Sequence, residues 1–459
     1  MAVKSMFHTP IVLRRMGYNL LYVLLLFLLL HFVVFSVESA QRTSHSYVVL
    51  YTSARLVREG VDFSLLYNDR WFGQQTSRYD NVYRDIYRPH NPVTALMLLP
   101  LSDLDYGKSR VVWIMFNVVL LAAGSVRLLR ELRLRGVGLA LAVMAILLYD
   151  PLHVNLELGQ SYILMFVLLV LAWTGYRRGD QRALGIALGL MFILKTAGVF
   201  LWVLLPLQRR WSALAWGVAT VVLCALLSLP IVGVDAWLTY FKEVSYFNGQ
   251  PFLTVTAYQT PTSLFGHLLT YDAIWNPTPV RDIPLLANVL TWVSQLVLIG
   301  GSVMISLAPI PQPLSPPLRL PHGERGVRRW WFSHIEPRHR EKDIQRQWHD
   351  LTFAMFAIVS VLIVPLALDY HYMLLLLPLL IVATQRGTGR RTGLLLGLVG
   401  LLLATAIAYR QPALAVGWWA LLAYPKLYGG MLLWGLALWQ MRRMLRGGSG
   451  EHQGYEQGV

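Results

Sequence analysis

Charge is scarce in this sequence, acidic charge scarcer still, and cysteine almost absent. Asp and Glu number 24 against 40 Lys and Arg, and the four types together make up 14% of 459 residues. Soluble globular domains carry charge on nearer a quarter of their residues, so an ordinary soluble domain is excluded. The single cysteine, Cys224, excludes a disulfide within the chain. The first apolar run is long, no convincing small-residue cleavage site follows it and further apolar runs come after it, which argues against a cleavable signal. No internal repeat is visible, which weighs against an inverted-repeat transporter. The histidines are scattered, and Asp103 and Asp105 form the one Asp-x-Asp pair near the second span. No bound metal or other cofactor is therefore expected.

What the sequence has is apolar length. Hydrophobic residues make up 56%, the mean hydropathy is +0.49, and runs long enough to cross a bilayer recur along the chain, as in a polytopic membrane protein. The net charge of +16 falls in short basic clusters between these runs. That is the way topology is written, and it argues against nucleic acid as a partner.

Lys4, Arg14 and Arg15 precede the first run, Tyr18 to Val37, and place residues 1–17 in the cytoplasm. The same rule gives a membrane domain over 18–308 with outside loops at 38–110 and 233–283. A basic, Pro-rich cytoplasmic linker follows at 309–350, then C-terminal membrane helices at 351–441 and a cytoplasmic tail at 442–459. Residues 183–207 lie between two basic clusters, so a hairpin of two short helices turning near Lys195, Thr196 and Gly198 suits the rule better than one span. Residues 47–58 predict an amphipathic helix lying at the interface, and Pro92 to Leu101 a re-entrant or interfacial segment. The count is about twelve transmembrane or re-entrant helices, all α, with interfacial helices in the first outside loop.

The chain is organised around Gln41 to Asn117, a polar stretch rich in Arg and Tyr that includes Asp62, Asp69, Asp80 and Asp85. Arg84, Arg88 and His90 stand just before its apolar segment, at the depth of a lipid phosphate, which guanidinium binds in bidentate fashion. The plainer alternative is general attraction to anionic headgroups. Lys195, a charge inside a membrane segment, is either aimed at a lipid phosphate or a lysine snorkelling to an interface. Glu157 and Gln160 either bind sugar hydroxyls or cap a helix. Asp369 and His371, where a span ends, are candidate substrate ligands or a solvated pair. Aromatic residues at 237–258 either stack on sugar or form an interface belt.

Several segments stand in order along the chain: Tyr51-Thr-Ser-Ala-Arg with Glu59-Gly60 and Tyr67; Tyr87-Arg-Pro-His-Asn-Pro-Val-Thr-Ala-Leu with Leu99-Pro100-Leu101, Val112-Trp113 and Asn117; Gly159-Gln160; Gly185 to Lys195; Gln208-Arg-Arg-Trp-Ser; and Pro365 to Pro378. Together they resemble the polyprenol-phosphate-mannose-dependent family of the C-type, multi-spanning glycosyltransferases. The resemblance implies a C-type glycosyltransferase fold in a bacterial plasma membrane. It implies transfer of a sugar, usually mannose, from a polyprenyl-phosphate donor to a lipid or glycan acceptor on the non-cytoplasmic side, with inversion. In that family an aspartate of the first outside loop deprotonates the acceptor. Its usual position holds Ser46 here, which leaves Asp62, in an Asp-Phe context like the family's, or His45 as the base. A non-catalytic relative that binds lipid-linked sugar, or a lipid or sugar transporter, is the alternative.

Overall fold

The computed structural model describes residues 9–79, 85–247, 250–310, 324–385, 390–407 and 411–449; for 9–18, 246–247, 324–341, 390 and 447–449 it describes the backbone alone. Among these residues the chain is helical throughout, and the one β contact is an isolated bridge between Asp272 and Asn276. Four helices are long and apolar enough to cross a membrane: Asn19–Gln41, Tyr106–Glu131, Trp211–Val232 and Pro284–Leu307. The count reaches six if Gly136–Leu147 with Asp150–Leu158, bent by 44°, and Gly417–Ala423 with Pro425–Arg446, bent by 58°, are each one span. The expectation of about twelve counted shorter pieces as well, such as Gln181–Lys195 and Leu201–Leu207. A helix needs about 20 apolar residues to cross.

Burial separates lipid-facing helices from the centre. The Asn19–Gln41 helix keeps only 6% of its apolar window buried, and Leu20, Val23, Phe27, Leu30 and Val34 are exposed. Such an apolar surface needs lipid to cover it. By contrast, Phe353 to Val359 of the Glu324–Leu362 helix are buried on every side, as are most residues of Tyr162–Arg178. A helix apolar all round belongs in the middle of the bundle. The sequence reading ran the linker to residue 350, but the backbone is helical from Glu324. Missing apolar periodicity argues against burial and not against helix, and Lys, Arg, Gln and Glu are good helix formers.

The sequence placed a hairpin at 183–207, and the chain turns there. Gln181–Lys195 ends in Thr196 with a left-handed φ of 51°, and Leu201–Leu207 brings the chain back so that Gln208 accepts from the Tyr176 hydroxyl at 2.9 Å. Small residues let this hairpin pack tightly on Trp211–Val232. A Cβ on Gly185 would stand 2.3 Å from the Ala213 carbonyl oxygen, and one on Gly189 would stand 2.7 Å from that of Gly217. Gly185-x-x-x-Gly189 facing Ala213-x-x-x-Gly217 is the small-residue pattern that brings membrane helices into backbone contact.

The loop between the first two spanning helices carries its own small core. Val48, Val49, Leu56, Phe63, Leu66, Phe72, Tyr87 and Ala95 pack with Val232 and Ala236. The helix expected at 47–58 forms as His45–Arg58. It is buried along most of its length, including Tyr47 and Tyr51, whose hydroxyls bond Ser109 and the Leu104 carbonyl. Those two tyrosines are therefore satisfied within the protein, in a helix that packs into it along most of its length. The breaks of the two bent pairs also meet. Lys426, fully buried at Pro425–Ser449, donates to Asp150 Oδ2 at 2.6 Å and to the Thr405 carbonyl at 2.7 Å, and it lies 3.8 Å from Asp369.

Candidate functional site

The site is assembled where the loop between the first two spanning helices meets the tip of the hairpin. Asn91 caps the short helix Pro92–Leu96 and accepts from Thr94 N. Its amide also donates to the Ile193 carbonyl at 2.7 Å, while the Thr94 hydroxyl donates to the Leu194 carbonyl at 2.8 Å. Carbonyls at the last turn of a helix have no partner within it. The loop supplies those partners, and so fixes His90 beside Lys195.

Around Lys195 the chain brings together residues from five segments. Lys195 Nζ lies 3.5 Å from Gln160 Oε1, and its charge acts on His90, His371 and Asp85. Gln160 is buried just after Gly159, whose φ of 64° ends the Asp150–Leu158 helix and whose Cα faces Tyr47 so closely that a Cβ would stand 2.8 Å away. His371 stacks on Tyr370 at 4.4 Å and packs on Tyr162 at 4.4 Å. The Tyr370 and Tyr372 carbonyls are held by Asn155 Nδ2 at 3.0 Å and the Tyr149 hydroxyl at 2.7 Å. His371 Nδ1 accepts from Leu368 N at 3.1 Å, so a neutral ring carries its proton on Nε2. Burial, reinforced by the Lys195 charge, holds His90 well below the ordinary histidine value and His371 down at about 3, so both rings are neutral donors near pH 7.

Asp85 lies at the rim of this cluster. Its Oδ2 is 2.7 Å from His45 Nδ1, and its Oδ1 accepts from Ile86 N at 2.8 Å. His45 is 46% exposed and Asp85 25% exposed, so the pair faces an accessible space. Arg110 holds His45's end of its helix in place. It is buried, donates to the carbonyls of Ser39 and Glu157 at 2.7 Å and bonds Ser44 Oγ, the hydroxyl that caps this helix at Tyr47 N. Sequence reasoning passed over Arg110, although an arginine one turn into an apolar span is the kind of signal that marks function or structure in a membrane. The sequence offers Asp85 only as one of the four aspartates of the polar stretch Gln41 to Asn117.

The other expected residues are placed elsewhere or differently. Arg88 is held between Asp69 at 3.0 Å and Glu243 at 2.8 Å, and its guanidinium is directed at those carboxylates. Glu243 belongs to Val234–Phe247, whose Tyr240 lies near Thr196, the residue after Lys195. Asp62 is exposed and caps the turn Phe63–Tyr67 by accepting from Ser64 N at 2.9 Å. Ser46 is half-buried beside His45. The Glu157 side chain is exposed, and Asp369 lies with the buried Lys426 and Asp150 group. Asp103 pairs with Arg58 and Asp105 with Lys108. Arg84 and Asp80 lie outside the described residues.

No curated protein and no solved structure matches the chain. Residues 89–314 match the family described as Glycosyltransferase family 87; His90, Gln160 and Lys195 fall inside this match, while His45, Asp85 and His371 fall outside it. Taken with the apolar helices, the match supports a membrane glycosyltransferase family for this chain.

Proposed function

We propose that the protein transfers a sugar, mannose by resemblance, from a polyprenyl-phosphate donor to a hydroxyl of a lipid or glycan acceptor, with inversion, on the non-cytoplasmic side of a bacterial plasma membrane. One observation carries the reading: a base pair, Asp85 with His45, stands at the rim of a cluster of phosphate donors, Lys195, His90, His371 and Gln160. In this reading the acceptor hydroxyl attacks the anomeric carbon and gives its proton to His45. Asp85 orients the imidazole and stabilises the imidazolium, as the third member of a triad does. The bond from carbon to phosphate oxygen breaks on the opposite side. The negative charge left on the phosphate meets Lys195 and the Nε2–H of His371, bonds worth about 1.5–3 kcal/mol each when charge-assisted. Arg88, tied to two carboxylates, serves as a positioning residue for the loop that carries Asp85 and His90. Arg84, Glu157 and Asp369 remain candidate ligands of the phosphate, sugar or acceptor. Asp62, as a turn cap, is the weaker base candidate on geometry.

The test is sugar transfer from a radiolabelled polyprenyl-phosphate-mannose by the purified protein in detergent. Positioned proton transfer contributes 10²- to 10⁴-fold. His45→Gln should therefore lower turnover by about 10²-fold or more with donor binding nearly intact, Lys195→Ala should weaken donor binding, and Asp62→Asn should stay near wild type. Full turnover in His45→Gln with loss in Asp62→Asn would reverse the assignment of the base. The serine at 46 favours a second reading, a lipid-linked-sugar binder without catalysis; donor binding without transfer to any acceptor would support it.

A further inference from the structure

The segment Gln208-Arg-Arg-Trp-Ser takes no part in the site above and lines a cleft of its own. Gln181, Gln208, Arg209, Arg210, Trp211 and Ser212 surround an open cleft of about 440 Å³. It lies at the other end of the Gln181–Lys195 helix from Lys195, about 20 Å away at 1.5 Å of rise per residue. Its two arginines are set differently. Arg210 is fixed: it donates to the Tyr176 carbonyl at 3.2 Å and to Gln208 Oε1 at 3.3 Å, and its guanidinium lies over the Tyr176 ring, 4.2 Å from the centroid. Arg209 has a left-handed backbone, φ 54°, a region that residues with a Cβ seldom occupy. Its exposed guanidinium has no hydrogen-bonding or ionic partner among the described residues.

Among the described residues no carboxylate lines the cleft. Asp180, next to Gln181, is turned to its own helix and caps Ala183 N at 2.9 Å. Ser212 is exposed, and the first turn of Trp211–Val232 has no side-chain cap, which leaves its N–H groups open as well. Trp211 is 60% exposed and forms an apolar wall at the mouth.

We propose that this cleft binds a phosphate group, carried by an anionic lipid headgroup or free in solution. Arg209 supplies a bidentate guanidinium for the phosphate oxygens, Arg210 a second fixed charge, and Ser212 and Gln181 neutral donors. The chain adopts a strained backbone at Arg209 and leaves its charge unpaired in a pocket free of acids. General topology signalling by basic residues requires neither feature.

The experiment uses the purified full-length protein in detergent. Sodium phosphate is titrated in one arm and phosphatidylglycerol in the micelle in the other, with phosphatidylcholine as the comparison lipid; the readouts are thermal midpoint and native mass spectrometry. Arg209→Gly removes the guanidinium and suits the left-handed backbone, so the unliganded midpoint should hold or rise while affinity falls by about tenfold or more. If the glycine variant is less stable, Arg209→Asn gives the same comparison with a residue that tolerates this backbone. Phosphatidylglycerol binding that millimolar phosphate does not displace identifies a headgroup site. Displacement by phosphate identifies a free-phosphate site. Absence of binding in both arms, or unchanged affinity in the Arg209 variants, overturns the proposal.

Discussion

His90 and His371 share one neighbour, Lys195, and both are kept neutral by burial and by its charge. The consequence for stability has a definite sign. Below the ordinary histidine value near 6.5 the unfolded chain takes up protons that the folded chain refuses, so stability is fully present above that value and falls as pH drops through the window beneath it. For His371, held at about 3, the cost between pH 6.5 and pH 5 is about 1.7 kcal/mol. The thermal midpoint in detergent should therefore fall across that range, and His90→Gln should flatten the fall; a variant as acid-sensitive as the wild type would remove His90 from the account. The same residues show how far the sequence could be read. Lys195, His90, Gln160, His371 and His45 stood out because a charged or polar residue is conspicuous beside apolar runs. Asp85 was not singled out because its partner lies forty residues earlier, and only the folded loop puts His45 Nδ1 2.7 Å from it. The two carboxylates that hold Arg88, Asp69 and Glu243, were not legible because both are remote in sequence.

At the scale of elements, the contact between Gln181–Lys195 and Trp211–Val232 fixes where Lys195 stands. Lipid tails are as apolar as leucine, so this pair is held by close packing and gains little from hydrophobic burial alone. Gly185 faces a backbone oxygen at 2.3 Å from where a Cβ would sit, and a backbone cannot swing aside as a side chain does. Gly185→Ala should lower stability by about 1–3 kcal/mol, the usual cost of overpacking. Gly138→Ala, whose Cβ would meet only Leu134 at 3.9 Å, should be close to neutral. Equal midpoints for the two variants would show that the helices separate freely. The hairpin itself was legible from two basic clusters that had to share a side. The helix from Glu324 was not, because its polar stretch carries no burial pattern.

For the whole molecule, the distribution of basic residues predicts which ends share a compartment. A tag at Ser77 should be reached from outside the cell, while tags at Arg325 and Gly450 should be reached only from the cytoplasm. Cys224 is the one native cysteine, so single-cysteine labelling in a Cys224→Ser background checks this directly; labelling of residues 77 and 325 from the same side would refute the arrangement. The ion pair between Lys426 and Asp150 adds a constraint in time. Its partners are 276 residues apart, so during synthesis Asp150 enters the bilayer long before its lysine exists. A half-made chain carries an uncompensated carboxylate at the break of a bent span, a costly state in lipid. Only when the Pro425–Ser449 helix is in place does Asp150 gain the Lys426 ammonium, so the pair ties the assembly of one bent segment to that of another made much later.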